Sequence, residues 1–159
     1  MDYQNYLMQI KTRLPNTKTI LLDNNETTVV YEEVFKWEWV ATKLKIFSFI
    51  TYKETVNKNQ LENYSSACLD YARKNKKGLP LGFQNGIVSN NILVSESVSD
   101  DAISLVISRP QKHYCVFEMP IIFDLTKNDL YYYKGEIIWG MMYNSFINNY
   151  IVKNFNING

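Results

Sequence analysis

Three of the chain's six glycines stand four residues apart in Gly78-Leu79-Pro80-Leu81-Gly82-Phe83-Gln84-Asn85-Gly86. Glycine admits positive φ and close approach of a ligand to the backbone. With Arg73, Lys74, Lys76 and Lys77 just upstream, Gly78, Pro80, Gly82, Gln84 and Gly86 read as a loop that holds a partner or an anion. The competing reading is a plain connection. Anion loops use a helix N-terminus, whereas this loop follows a helix C-terminus, where the dipole repels anions. The spacing fits neither the Walker loop nor the dinucleotide fingerprint. A second set is Lys43-x-Lys45-x-Phe47-x-Phe49, where alternation puts two lysines and two rings on one strand face, a pattern that can bind phosphates and stack bases. Tyr131-Tyr132-Tyr133-Lys134 offers similar material, and because successive strand residues alternate sides, Tyr132 is counted among the contact candidates. Amphipathic tyrosine also suits protein interfaces.

Other chemistries find less. His113 can meet only Cys68 or Cys115 as a nucleophile, and Cys115, two residues on, shares its face if both lie on one strand. The bland reading is a thiol and an imidazole on a sheet. The two cysteines form no disulfide framework and His113 has no partner at metal-ligand spacing, so no metal site is expected. Asp100-Asp101 suits a helix start, Asp124 a turn, and no Gly-x-Ser-x-Gly elbow occurs.

The elements that carry these residues follow from periodicity. Tyr3, Tyr6, Leu7, Ile10 and Leu14 predict a helix closed by Pro15. Strands are expected at 19–22 and 28–35 around Asp23-Asn24-Asn25-Glu26, and from Val40 to Tyr52. Asn57 caps a helix with Leu61, Tyr64, Cys68, Leu69 and Ala72 on one face. A strand at 87–96 leads to a short helix capped by Ser99. Residues His113–Leu125 and Leu130–Lys134 form a hairpin, with Pro120 marking a bulge or edge. Trp139, Met142, Tyr143, Phe146, Ile147, Tyr150 and Ile151 form the stripe of a final helix. The expected fold is a single α+β (or α/β) domain over residues 1–159, a mixed central sheet flanked by helices.

Two resemblances attach to these residues. Gly78-Leu79-Pro80, Gly82, Gln84 and Gly86 are similar to a Gly-Leu-Pro-x-Gly-x-Gln-x-Gly stretch of uncharacterised bacterial proteins, which implies no activity. The order helix, three strands, helix, strand over 3–96, with Gln60-Leu61-Glu62-Asn63-Tyr64 after the third strand, resembles the restriction-endonuclease-like PD-(D/E)XK fold. Active members bind magnesium with an upstream acid and a Glu-x-Lys pair. Here those positions read Lys43-Leu44-Lys45, and a lysine repels the cation, so the resemblance implies lost catalysis unless Glu32, Glu33 or Glu38 supplies the acids.

Composition leaves a narrow set of functions. Lys and Arg number 17 against 16 Asp and Glu, a formal charge of +1, so no global field draws the chain to nucleic acid or membrane. Hydrophobic residues make up 46%, enough for one core and unlike a disordered chain. Neither a secretory signal nor a membrane-length apolar run is present. The expectation is a non-enzymatic protein-binding domain of a bacterial cytoplasm, immunity-type or regulatory, that needs no cofactor. The alternative is an endonuclease-like domain that binds or weakly cleaves nucleic acid, with magnesium or manganese as its only cofactor. A third reading is a small-molecule pocket beside Trp139 and the glycine loop.

Overall fold

The computed structural model describes residues 1–39, 41–82, 84–137 and 141–158. Helix α1 (Tyr3–Arg13) is capped by the Asp2 carboxylate, which accepts from the Asn5 amide, and buries Tyr6, Leu7 and Ile10 as the spacing predicts. Strands β1 (Thr17–Leu22) and β2 (Asn25–Phe35) pair antiparallel with Leu22 opposite Asn25. The two linking residues, Asp23 and Asn24, both have positive φ, which matches hairpin turns to strand twist. Strand β3 (Lys43–Tyr52) follows a 3-10 turn at Trp37–Trp39, and its predicted first residue, Val40, lies outside the described residues.

After β4 (Thr55–Val56), helix α2 (Lys58–Asn75) opens with a reciprocal box. Asn57 accepts from the Gln60 amide, and the Gln60 side chain accepts from the Asn57 amide. Strand β5 (Asn85–Ser95), β6 (Ser97–Val98) and α3 (Asp100–Val106) come next. Ser99 is the N-cap residue of α3 as expected, with its carbonyl accepting from the Ile103 amide, but its side chain bonds none of the helix's first amides. Its hydroxyl lies within hydrogen-bond reach of the Val56 carbonyl and the Asp101 carboxylate, and its amide donates to the Val56 carbonyl, which ties the start of α3 to β4. The chain closes with β7 (Lys112–His113), β8 (Val116–Asp124), β9 (Asp129–Tyr132) and α4 (Met141–Phe155).

The main sheet is mixed, in the order β1-β2-β3-β5-β8-β7, with β9 also on β8. Strands β3, β5 and β8 are mutually parallel, and the other pairings are antiparallel. Alternation sorts the core into two layers. Leu44, Ile46 and Ile50 pack with Val88 and Ile92 under α1 and α4, while Phe47 and Phe49 pack with Ile87 and Leu93 under α2 and α3. The mixed sheet flanked by helices is the expected α+β class. No helix among the described residues is long and apolar enough to cross a membrane.

Three expectations are corrected. His113 and Cys115 do not share a strand. His113 belongs to β7, which reverses onto β8 with His113 opposite Val116, and Cys115 sits in that reversal at φ 53°. Tyr132 is not on the surface; it is buried in the α1/α4 layer, and its neighbour Tyr131 packs on the other layer. Phe47 and Phe49 are covered by α2, with Tyr71 edge-on to both rings, so neither is open to a base. Pro120 does mark an edge: β7 pairs with β8 at Val116 and Phe117 and β9 pairs from Ile121, leaving Pro120 in the gap between them. In α4, Ile147 and Ile151 are buried as predicted, Met142 is exposed, and Trp139 lies outside the described residues.

Candidate interaction surface at the strand entrances

The three parallel strands begin at the same end of the sheet, and each is entered through a residue in the left-handed region. Ala41 (φ 59°) precedes β3, Gln84 (φ 54°) precedes β5, and Cys115 (φ 53°) precedes β8. Each such non-glycine residue costs about 1 kcal/mol, and surrounding contacts must hold it. Those contacts run across the sheet end: the Lys43 amide donates to the Gln84 carbonyl at 2.8 Å, and the Ile87 amide to the Cys115 carbonyl at 3.0 Å. The entrances thus form one stitched rim. Within it lies a pocket of about 250 Å³ lined by Thr42, Gln84, Gly86, Tyr114, Phe117 and Tyr143, among others.

The glycine loop supplies the outer wall. Gly78 and Gly82 have φ of 86° and 89°, and the Tyr114 hydroxyl occupies the space that a Cβ on Gly82 would need. Gly82→Ala is expected to lose about 1–2 kcal/mol of stability, from the positive φ and from displacement of Tyr114, measured by urea unfolding. The Tyr114 ring signals are expected to shift with it in NMR spectra. A Gly82→Ala variant as stable as wild type would refute this account of the loop. Gly86 allows β5 to approach β3, since a Cβ there would stand 3.1 Å from a Leu44 methyl. Gly82, Gln84 and Gly86 therefore converge on the pocket, whereas Pro80 is exposed on the loop and does not line it.

Lys43 and Lys45 do share a face, but a carboxylate from β2 meets both. Glu33 Oε1 accepts from Lys45 Nζ at 2.7 Å, and Glu33 Oε2 lies 3.2 Å from Lys43 Nζ. Tyr31 donates to the same Oε1 at 2.6 Å. Hydrogen bonds from Lys45 and Tyr31 hold the Glu33 carboxyl down at about 2. Lys45 is buried, with its ammonium 3.4 Å from the position of a Cβ on Gly78, so it lies beneath the loop rather than reaching solvent. Lys43 remains half exposed. Lys76 donates to the Leu79 carbonyl and also stabilises the loop.

The acids considered for metal binding point apart. Glu32 accepts from Tyr150 on the α4 face of the sheet, Glu33 is held by the lysines on the α2 face, and Glu38 is exposed beside Lys36. Among the described residues no group of three His, Cys, Asp or Glu is placed to hold a metal ion.

What sequence reasoning missed is the apolar material around this rim. Trp37 is 82% exposed, Tyr114 75% and Leu79 62%, and Phe35, Met141 and Met142 are also open to solvent. All six stand at the strand-entrance end, and the Phe35 ring sits edge-on to Trp37 with centroids 5.2 Å apart. The near-neutral total charge also conceals a polarity. Lys36, Lys43, Lys74, Lys76, Lys77 and Lys112 gather at this end beside Glu33 and Glu38. The opposite end carries Asp23, Glu26, Glu54, Glu96, Asp100 and Asp101 beside Lys53 and Lys58. The signal available in the sequence was Phe35-Lys36-Trp37, which puts aromatic residues at a strand exit with no apolar period behind them. Compared with protein-family models, curated proteins and solved structures, the chain matches none.

Proposed function

We propose that the chain is a protein-binding domain and that the strand-entrance rim is its contact surface. The observation that carries this reading is the exposure of Trp37, Leu79, Tyr114 and Met141 at the end of the sheet where a 250 Å³ pocket, lined by Tyr114, opens among lysines. Large aromatic and methionine side chains are enriched at interfaces, and a few central anchors supply most of the binding energy. The lysines select a partner with an acidic border and speed its approach, while the pocket takes one apolar side chain. An immunity-type or regulatory role, in which one surface blocks or recruits a second protein, is the form of activity this arrangement suits.

The test is a comparative capture from extract of the native organism, with wild type, Trp37→Asp and Tyr114→Asp as baits. Each substitution is expected to reduce a specifically retained protein at least tenfold while leaving the fold intact. Retention unaffected by both substitutions would place the interface elsewhere and sink this reading.

A second reading rests on the element order from α1 to β5, which is that of the endonuclease-like resemblance, together with the same lysines and exposed rings. Single-stranded nucleic acid would use them for phosphates and base stacking. Titration of labelled single-stranded DNA with and without magnesium or manganese decides it. Affinity that falls with salt and with Lys43→Ala supports it, and no binding at moderate salt excludes it.

A further inference from the structure

A cleft of about 370 Å³ opens between α2 and the segment following α3, away from the rim. Its walls are mixed: Leu61 and Leu69 from α2, Leu105 from α3, and Pro110 and Pro120 supply the apolar part, beside polar residues such as Glu62, Ser66, Ser108 and Gln111. In its floor lies one carboxylate, Glu118, on β8 in the gap between β7 and β9, with a side chain only 12% exposed. A network from four elements fixes it. Ser89 donates to Asn91 Oδ1 at 2.7 Å, Asn91 Nδ2 donates to Ser65 Oγ at 2.6 Å, and Ser65 Oγ donates to Glu118 Oε1 at 2.7 Å. The amide nitrogen can only donate, so the single serine proton is directed to the carboxylate.

His113 Nε2 stands 2.5 Å from Glu118 Oε2, while its Nδ1 faces Arg73 Nη2 at 3.5 Å. A guanidinium only donates, so the Arg73 contact is a hydrogen bond only with Nδ1 as acceptor, in which case Nε2 donates to Glu118. Among the described residues no lysine or arginine nitrogen lies within ion-pair distance of Glu118. Arg109 lines the cleft but turns its Nε towards the Tyr133 hydroxyl at 3.5 Å, and Glu62 adds a second negative charge at the wall.

Glu118 accepts one hydrogen bond at each oxygen, from Ser65 and from His113, and a carboxylate oxygen has two lone pairs, so each can take a second donor from the cleft. We infer that this cleft binds a small planar cation with an apolar body, of the amidinium, guanidinium or protonated aminoheterocycle class, its paired N–H groups forked onto Glu118. The volume suits a ligand of one or two rings. Among the described residues the site shares His113 alone with the pocket of the rim, and it stands independently of the protein-binding reading.

The probe is benzamidine, titrated into the isotope-labelled protein by NMR and in parallel by calorimetry, with neutral benzamide and anionic benzoate as controls. Benzamidine is expected to move the amides of Ser65, His113 and Glu118 saturably and to bind at least tenfold tighter than benzamide, as a charge-assisted fork requires. Glu118→Gln is expected to lower its affinity at least tenfold. Ser66→Lys, at an exposed α2 position on the cleft wall, is expected to do the same by charge repulsion without touching the network. N-acetylarginine amide in place of benzamidine distinguishes a peptide arginine from a free aromatic cation by which binds tighter. Benzoate binding as tightly as benzamidine, shifts confined to residues outside the cleft, or affinity unchanged in both variants would overturn the inference.

Discussion

Phe49→Ala is expected to cost about 4 kcal/mol of unfolding free energy, whereas Trp37→Ala is expected to change it by no more than about 0.5 kcal/mol. Phe49 is fully buried in the middle of β3, stacked parallel to Phe47 at 6.1 Å and met edge-on by Tyr71 of α2 at 5.6 Å. Its removal leaves a ring-sized void between a central strand and the helix that crosses over it, where neither can collapse without breaking the β3/β5 pairing. Trp37 has a larger ring but touches little beyond Phe35. The contrast bears directly on function, because an aromatic side chain that contributes nothing to stability is free to serve a contact. Urea unfolding of both variants measures it. A loss at Trp37→Ala comparable with that at Phe49→Ala would make Trp37 structural and remove the main anchor of the proposed surface.

Much of the framework could be read from local chemistry. The Asp23-Asn24 turn, the Asn57/Gln60 box and the alternating faces of β3 each depend on a few adjacent residues whose preferences are strong. The reversal after β7 could not be read in this way. Tyr114-Cys115 contains no glycine, asparagine or aspartate to signal a turn, and Cys115 accepts a positive φ because its carbonyl is held by the Ile87 amide from another strand. Three consecutive tyrosines gave alternation without phase, so the inward position, Tyr132, could not be told from its neighbours. The functional surfaces were hidden for a related reason. The charge polarity exists only once the topology gathers strand entrances at one end, and the Glu118 network joins residues of α2, β5, β7 and β8 that are far apart in sequence. Gly82, Gln84 and Gly86 of the glycine loop border a pocket, while the lysines considered for binding are partly internal: Lys45 is taken up by Glu33.

That last pairing sets the second large effect. Glu33→Gln is expected to destabilise the protein by about 2 kcal/mol at neutral pH. Removing one partner of a buried ion pair costs about 3–5 kcal/mol, and the lower figure applies because Glu33 is 32% exposed, so water screens part of the charge left on Lys45. The pH dependence follows from the same contacts. The Glu33 carboxyl, ordinarily near 4.5, is held at about 2 in the folded chain by Lys45 and Tyr31, so folding favours its ionised form. The stabilisation is therefore fully present above about 4.5 and disappears as the pH falls towards about 2. Urea unfolding at several pH values is expected to show a full, constant gap between wild type and Glu33→Gln above about 4.5 that closes as the pH falls towards about 2. Adding Lys45→Met to Glu33→Gln is expected to recover most of the loss, because an apolar chain of similar length fills the site without needing a counter-charge. A difference between wild type and Glu33→Gln that stays constant from neutral pH to the acid limit would show that the side chain acts by packing alone, and that the ammonium beneath the glycine loop does not depend on its carboxylate.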